Sequence, residues 1–279
     1  MLSYRHGFHA GNFADVLKHS LLCLAIAELK KKDKPFVYID THAGAGAYSL
    51  KSLYAEKTGE YRQGIGRLYA YPTVHPLLEN YLGIVRSINS DKKLSDYPGS
   101  PELVRSLMRH QDRMQLSELH SSDFTDLQER YRNDCQITVA QEDGLKNLLK
   151  KLPPVQKRGL IFIDPSYEVK EDYSRVVETL AKAYRRFATG VYCLWYPVIR
   201  RVTTDILMTA LAETGIRKQL RIEHCMLPDS EELGMTGSGL LFINPPWQLE
   251  SQARELLPWL NDKLADGSGT WSVDWLVPE

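Results

Sequence analysis

Asp164-Pro165-Ser166-Tyr167 places a carboxylate, a proline carbonyl and an aromatic ring within four residues, directly after the apolar run Gly159-Leu160-Ile161-Phe162-Ile163. That run reads as a short buried strand, so the four residues sit at its mouth. The combination suits chemistry on a planar amine. The carboxylate of Asp164 and the carbonyl of Pro165 can accept two hydrogen bonds from an exocyclic NH2, drawing its lone pair out of conjugation. As such a nitrogen attacks an electrophilic carbon it gains positive charge, which a neighbouring carboxylate stabilises. Tyr167 can lie flat on a base, a contact worth about 1–3 kcal/mol. Without chemistry, the same residues are a polar strand end closed by a turn.

A second group lies near the N-terminus. Phe36-Val37-Tyr38-Ile39 reads as a strand and leads into Asp40-Thr41-His42-Ala43-Gly44-Ala45-Gly46. Two glycines two apart after a strand let the backbone turn tightly and approach a ligand. Dinucleotide-binding loops share that spacing, but they prefer a third small residue and an acid about 20 residues on. Here Ser49 holds the third position and no clear second strand follows. An acid ahead of the glycines, Asp40, instead matches the first motif of enzymes that bind S-adenosylmethionine. The next strand, Met114–Ser117, ends in Glu118, an acid suited to ribose hydroxyls. A third, Gln136–Ala140, is followed by Glu142-Asp143-Gly144, where an acid commonly meets the adenine of such a cofactor. His6 and His9 make half of a metal site, but no second pair completes it and no metal is expected.

A rival to the first tetrapeptide stands at Asn244-Pro245-Pro246-Trp247. Topology separates the two. Ligands of open α/β sheets bind beyond the carboxyl ends of the parallel strands. If the strand at Gly239–Ile243 runs antiparallel, Asn244 emerges at the opposite edge, and Trp247 is expected to pack beneath the next helix near Leu249 and Leu256.

The elements that position these groups follow from periodicity. Residues 1–11 form a polar arm rich in His, Arg and aromatics, placed to fold over a substrate. Asn12, with Asp15 three residues on, starts a helix whose apolar face carries Val16, Leu17, Leu21, Leu24, Ala25 and Leu29. Lys18 and His19 sit mid-helix, where an ordinary surface or boundary position is the plainer reading. Residues 50–97 show two helical patterns, near Tyr61–Tyr69 and at Leu77–Ile88, and read as a small subdomain inserted in the first crossover. Ser100 then reads as a helix N-cap with Pro101 at the first helical position. Further strands are expected at Val191–Pro197, Gln219–Met226 and Gly239–Ile243. Strands alternating with helices, then two joined without one, indicate a mostly parallel sheet whose last strand turns back.

Composition narrows the class. The 279 residues, with 35 basic and 35 acidic side chains, suit one large domain, so any nucleic-acid contact must be a local patch. Cys23, Cys135, Cys193 and Cys225 are scattered and read as reduced core residues of a cytoplasmic protein. No signal peptide and no membrane-spanning run is seen.

In order, MLSYRHGFHAGNFADVLKH, DTHAGAG, YPGSP, ELH, IDPSY, LWYP, GMTGSG and the final VPE resemble the RlmJ-type methyltransferases over essentially the whole chain. Members modify N6 of an adenine in 23S ribosomal RNA, and most have proline where this chain has Ser166. The resemblance implies that Lys18, His19, His42, Gly44, Ser100, Glu118, Asp143, Gly144 and Asp164 surround S-adenosylmethionine. It implies that Asp164 is catalytic and that Tyr4 and His6 serve the target adenosine, which Pro165 and Tyr167 would contact on the reading of the tetrapeptide above. The expectation is therefore an α/β, Rossmann-like methyltransferase domain over 1–279, with an antiparallel last strand and a helical insertion. It would act in the cytoplasm as a monomer on ribosomal RNA, without metal or membrane. The alternatives are an amino-methyltransferase for DNA adenine or a protein amide and, from another class, an NAD(P)-binding oxidoreductase or a non-catalytic nucleotide-binding module.

Overall fold

Asn12 caps the first helix, α1 (Phe13–Lys30), by accepting the Asp15 N–H at 2.9 Å. In the computed structural model, which describes residues 5–71, 73–89, 93–230 and 234–279, this helix is buried along most of its length. The chain continues through β1 (Val37–Asp40), β2 (Ala47–Ser49), α2 (Leu53–Thr58), α3 (Ile65–Tyr69), α4 (Glu79–Ser87) and β3 (Asp96–Pro98). Then come α5 (Ser100–Leu107), β4 (Arg113–Glu118), α6 (Ser121–Tyr131), β5 (Ile137–Gln141), α7 (Gly144–Asn147) and β6 (Gly159–Ile163). The last third holds α8 (Glu171–Arg186), β7 (Val191–Val198), α9 (Arg201–Ala212), β8 (Gln219–Cys225), β9 (Gly237–Ile243), α10 (Leu249–Ala265) and β10 (Thr270–Val277).

Eight strands form one sheet in the order β10-β8-β9-β7-β6-β1-β4-β5. Neighbours from β5 to β7 pair in parallel, while β9 inserts antiparallel between β7 and β8. Asp40 is in register with Phe162 on one side and Leu116 on the other. The carboxyl ends of β1, β6 and β4 therefore share one edge, and Asp164 and Glu118 each lie two residues past that register line. This is the Rossmann-like arrangement, with β1 and β6 feeding one crevice.

Side chains alternate between two cores, as the strand period of two requires. Tyr38, Leu160 and Phe162 face the layer of α1, α5 and α10, while Val37, Ile39, Ile161 and Ile163 face that of α7, α8 and α9. No helix among the described residues is long and apolar enough to cross a membrane.

Three features depart from the sequence reading. The sheet does not finish at β9: β10 adds an edge strand antiparallel to β8. Its alternation of Trp271, Val273, Trp275 and Val277 after a Gly-Ser-Gly turn carried the strand period. Between residues 50 and 97, each expected helical pattern breaks into a short 3-10 turn and a helix, and the ribbon of β2 with β3 closes the base of the segment. Cys135 is exposed, whereas the other three free cysteines are buried.

Candidate active site

The loop after β1 is built by what glycine permits. Gly44 and Gly46 adopt φ of 60° and 82°, and a Cβ on Gly44 would lie 2.0 Å from the Tyr48 hydroxyl. Across the cleft, a Cβ on Gly144 would meet the Thr41 carbonyl oxygen at 2.0 Å, so the start of α7 presses its backbone against the same loop. An open cavity of about 1050 Å³, part of it solvent, lies between them.

Its walls bring together most of the residues singled out in the sequence. His6, Lys18, His19, His42, Gly44 and Ser100 line it, with Glu118, Asp143, Gly144, Asp164, Pro165 and Ser166. Lys18 and His19 are not boundary residues. Lys18 is 3% exposed, because α1 is packed between the sheet and the helices α4, α5 and α10 and its neighbours at that turn are buried.

Lys18 Nζ donates to Asp164 Oδ2 at 2.7 Å and reaches Asp15 Oδ1 at 2.9 Å. Asp15 Oδ2 in turn meets His6 Nε2 at 2.9 Å and accepts the Gly11 N–H at 2.8 Å. A chain of polar contacts thus runs from the N-terminal arm through α1 to the end of β6. Burial opposes the charge on Lys18, but the carboxylates of Asp15 and Asp164 outweigh it and its pKa is raised. Burial likewise opposes ionisation of Asp15, yet His6 and Lys18 hold its carboxyl well below the usual range. The ammonium also sits 5.2 Å from the centre of the Trp195 ring. Asp15 and Trp195 escaped the sequence reading as site residues; the i, i+3 spacing of Asp15 and Lys18 was the available signal.

Beneath the loop, Asp40 is fully buried and accepts from Tyr38 and Ser100 hydroxyls, each at 2.7 Å. Burial pushes its carboxyl up to about 6 against those hydrogen bonds. Ser100 is therefore not the N-cap: Gly99 holds that place, Pro101 is the second helical residue, and the hydroxyl is committed to Asp40. His19 Nδ1 lies 2.7 Å from the Tyr97 hydroxyl, which is 3.0 Å from that of Tyr81 in α4. Burial holds the His19 imidazole neutral, its pKa near 3, and that of His42 near 4.

Glu118 accepts the Gly44 N–H at 2.7 Å and the His120 N–H at 2.6 Å, while burial raises its carboxyl pKa. Asp143 caps α7 through the Lys146 N–H and pairs with Arg175 at 2.7 Å. Burial works against its charge, but those partners lower its pKa. Glycine-cradled space, a carboxylate at the end of β4 and an acid after β5 suit a ligand with a ribose and an adenine. The residues fit S-adenosylmethionine. Among the described residues no group of three or more His, Cys, Asp or Glu is placed to hold a metal.

Two aromatic expectations are corrected. Tyr167 does not offer an open face: it is 8% exposed, its hydroxyl donates to the Trp195 carbonyl at 2.9 Å and its ring lies 4.5 Å from that of Tyr173. Its φ of 53° turns the side chain from the cavity into the second core. Trp247 is not packed beneath α10 but 95% exposed, since Leu249 and Leu256 fill the helix's inner face. The topological expectation holds, because β9 is antiparallel and Asn244 donates to the Ala188 and Gly190 carbonyls just ahead of β7. Tyr4 lies outside the described residues.

The chain matches the family model described as "Ribosomal RNA large subunit methyltransferase D, RlmJ" over residues 33–277. It is 52% identical to the ribosomal RNA large subunit methyltransferase J of Escherichia coli, over 100% of both chains. It is 47% identical to the protein of that name from Haemophilus influenzae, again over 100% of both. A crystal structure of a Legionella pneumophila protein superposes with a TM-score of 0.90 at 39% identity, covering 96% of this chain and 98% of that one.

Proposed function

From the premise that this chain belongs to the RlmJ family of ribosomal RNA large subunit methyltransferases, we propose that it methylates N6 of an adenine in 23S ribosomal RNA, with S-adenosylmethionine as donor, in the cytoplasm. One observation carries the reading: Asp164-Pro165 opens into the same cavity as the glycine loop of β1 and the terminal acid of β4.

His42, Gly44, Ser100, Glu118, Asp143 and Gly144 would hold the cofactor, together with His19. When bound, S-adenosylmethionine supplies an electrophilic methyl carbon. Asp164 and the Pro165 carbonyl accept hydrogen bonds from the adenine amine. Lys18 holds Oδ2 of Asp164, and among the described residues Oδ1 has no donor, which leaves it for the amine. The carboxylate then stabilises the positive charge the nitrogen acquires, a role whose loss typically costs about 10²–10³ in rate. The base must be unpaired or flipped out to reach this depth. His6 sits at the mouth, joined to Asp164 through Asp15 and Lys18, and with Tyr4 would meet the target nucleoside.

The test is methyl transfer to unmodified 23S ribosomal RNA, with the modified nucleoside mapped in a deletion strain and its complement. N6-methyladenine that vanishes and returns with the gene supports the proposal; unchanged adenines refute it. Calorimetry showing NAD(P)H bound and S-adenosylhomocysteine not bound would transfer the site to the oxidoreductase class.

A further inference from the structure

We propose that Arg5 and Phe8 of the N-terminal arm, with α2 and Lys51 just ahead of it, form the surface that grips the RNA strand beside the target adenine, by base contact on Leu53 and Tyr54 and phosphate contact on Arg5, Lys51 and Lys57. The proposal rests on the ribosomal RNA reading above. Arg5 and Phe8 of the arm pack against α2 as alternating cations and rings. The Arg5 guanidinium carbon lies 5.6 Å from the centre of the Tyr54 ring, Tyr54 meets Phe8 edge-on at 4.9 Å, and Lys57 Nζ is 5.7 Å from the centre of Phe8. Cations are thus held on aromatic faces rather than by carboxylates.

The charge balance of the segment supports the same conclusion. Glu56 is taken by Arg62, and Glu60 by His9 and Asn12. Among the described residues no ion pair holds Arg5, Lys51 or Lys57, and Arg5 donates to the Ser122 hydroxyl at 3.2 Å, so this surface is locally positive although the chain's formal charge is zero. Between them, Leu53 is 90% exposed and Tyr54 43% exposed, although both belong to a helix anchored by buried Ala55. Rings and apolar ledges interleaved with unpaired cations are what a single-stranded nucleic acid binds, bases on the flat groups and phosphates on the charges. The surface adjoins the cavity, because Gly7 of the arm lies against both Tyr54 and Tyr48, and Tyr48 lines the cavity with His6. A strand whose adenine enters the cavity would lay its neighbouring nucleotides here.

The test uses filter binding of unmodified 23S ribosomal RNA transcript to the full chain between about 50 and 200 mM salt. Lys51→Gln/Lys57→Gln is expected to weaken RNA binding at least fivefold and to reduce the slope of log affinity against log salt by about 1.4, at about 0.7 per charge on single strands. Leu53→Ser, which has little packing to lose, is expected to weaken it at least threefold. S-adenosylhomocysteine affinity and melting temperature should stay as in the parent protein. RNA affinity and salt slope within twofold of the parent in both variants would overturn the proposal. So would an equal loss in Lys182→Gln on α8, which would make the contact a matter of general charge. Methyl transfer to the same transcript is measured separately: a parent protein that binds RNA through this surface yet transfers no methyl group defeats the functional reading and leaves the surface standing.

Discussion

Lys18 and Asp164, 146 residues apart in sequence, meet at 2.7 Å with the lysine buried, joining the middle of α1 to the end of β6. The pair fixes where the carboxylate points, and Asp15 keeps the ammonium in place from the other side.

Asp164→Asn is expected to lower methyl transfer about 10²–10³-fold while S-adenosylhomocysteine still binds. The isosteric change keeps the side-chain volume and one acceptor, and removes the charge that stabilises the attacking nitrogen. Turnover within tenfold of the parent, measured with saturating RNA, would remove Asp164 from the chemistry.

Lys18→Met should reduce turnover through Asp164 rather than independently of it. A double-mutant cycle of Lys18→Met with Asp164→Asn is expected to show coupling of about 0.5–3 kcal/mol in the activation free energy, as for groups in direct contact. Additive losses would mean that the lysine serves another group. Stability should also fall, by about 3–5 kcal/mol for a buried pair broken on one side, so rates are compared per folded molecule.

Tyr97→Phe removes the hydroxyl that touches His19 Nδ1. The Tyr97 hydroxyl stands between His19 Nδ1 and the Tyr81 hydroxyl at 3.0 Å, and a Tyr97 proton given to Nδ1 would place the ring proton on Nε2. Long-range proton–nitrogen NMR is expected to show the Nε2–H tautomer in the parent and a mixture in the variant. S-adenosylhomocysteine affinity should fall by about 1 kcal/mol, the net worth of one hydrogen bond. An unchanged tautomer in Tyr97→Phe would refute the relay.

His19 gives stability a pH dependence. Its folded pKa, near 3, lies below the unfolded value of 6.5, so the unfolded chain binds the extra proton. The contribution is complete above pH 6.5 and is lost as pH falls towards 3, by about 1.4 kcal/mol per unit. Asp40, raised to about 6, has the opposite sign: its contribution is present below about pH 4 and is lost as pH rises through 6. Urea unfolding of His19→Gln between pH 6.5 and 5 should therefore show a shallower loss on acidification than the parent. Equal slopes would mean that His19 is charged in the folded protein.

At the far edge, Trp247→Ala is expected to change stability by no more than about 0.5 kcal/mol, because the ring is almost wholly exposed. Asn244→Ala should cost about 1–3 kcal/mol, since two carbonyls lose their donor and φ is 52°. Neither should alter turnover per folded molecule. A stably folded Asn244→Ala that binds cofactor without transferring methyl would place the chemistry at Asn244 instead.

Local pattern determined much of this protein. Apolar runs ending in an acid located the central strands, the Asn12–Asp15 spacing located the start of α1, and connection lengths told that β9 runs backwards. Since that reversal separates Asn244 from Asp164, the choice between two similar motifs was open to reasoning from sequence. Tertiary structure decided what depends on which groups exclude water from one another. Lys18 reads as a boundary residue by period, and it is buried only because the insertion and α10 close over α1 while two carboxylates offset its charge. Ser100 has the spacing of a cap, but a buried Asp40 competes for its hydroxyl and wins. Tyr167 follows Asp164 in a stacking motif, yet a positive φ directs it inward, and Trp247 follows a buried strand yet points to solvent. Backbone dihedrals at single residues and the partners of buried polar groups are set by segments distant in sequence, so no window along the chain contains them.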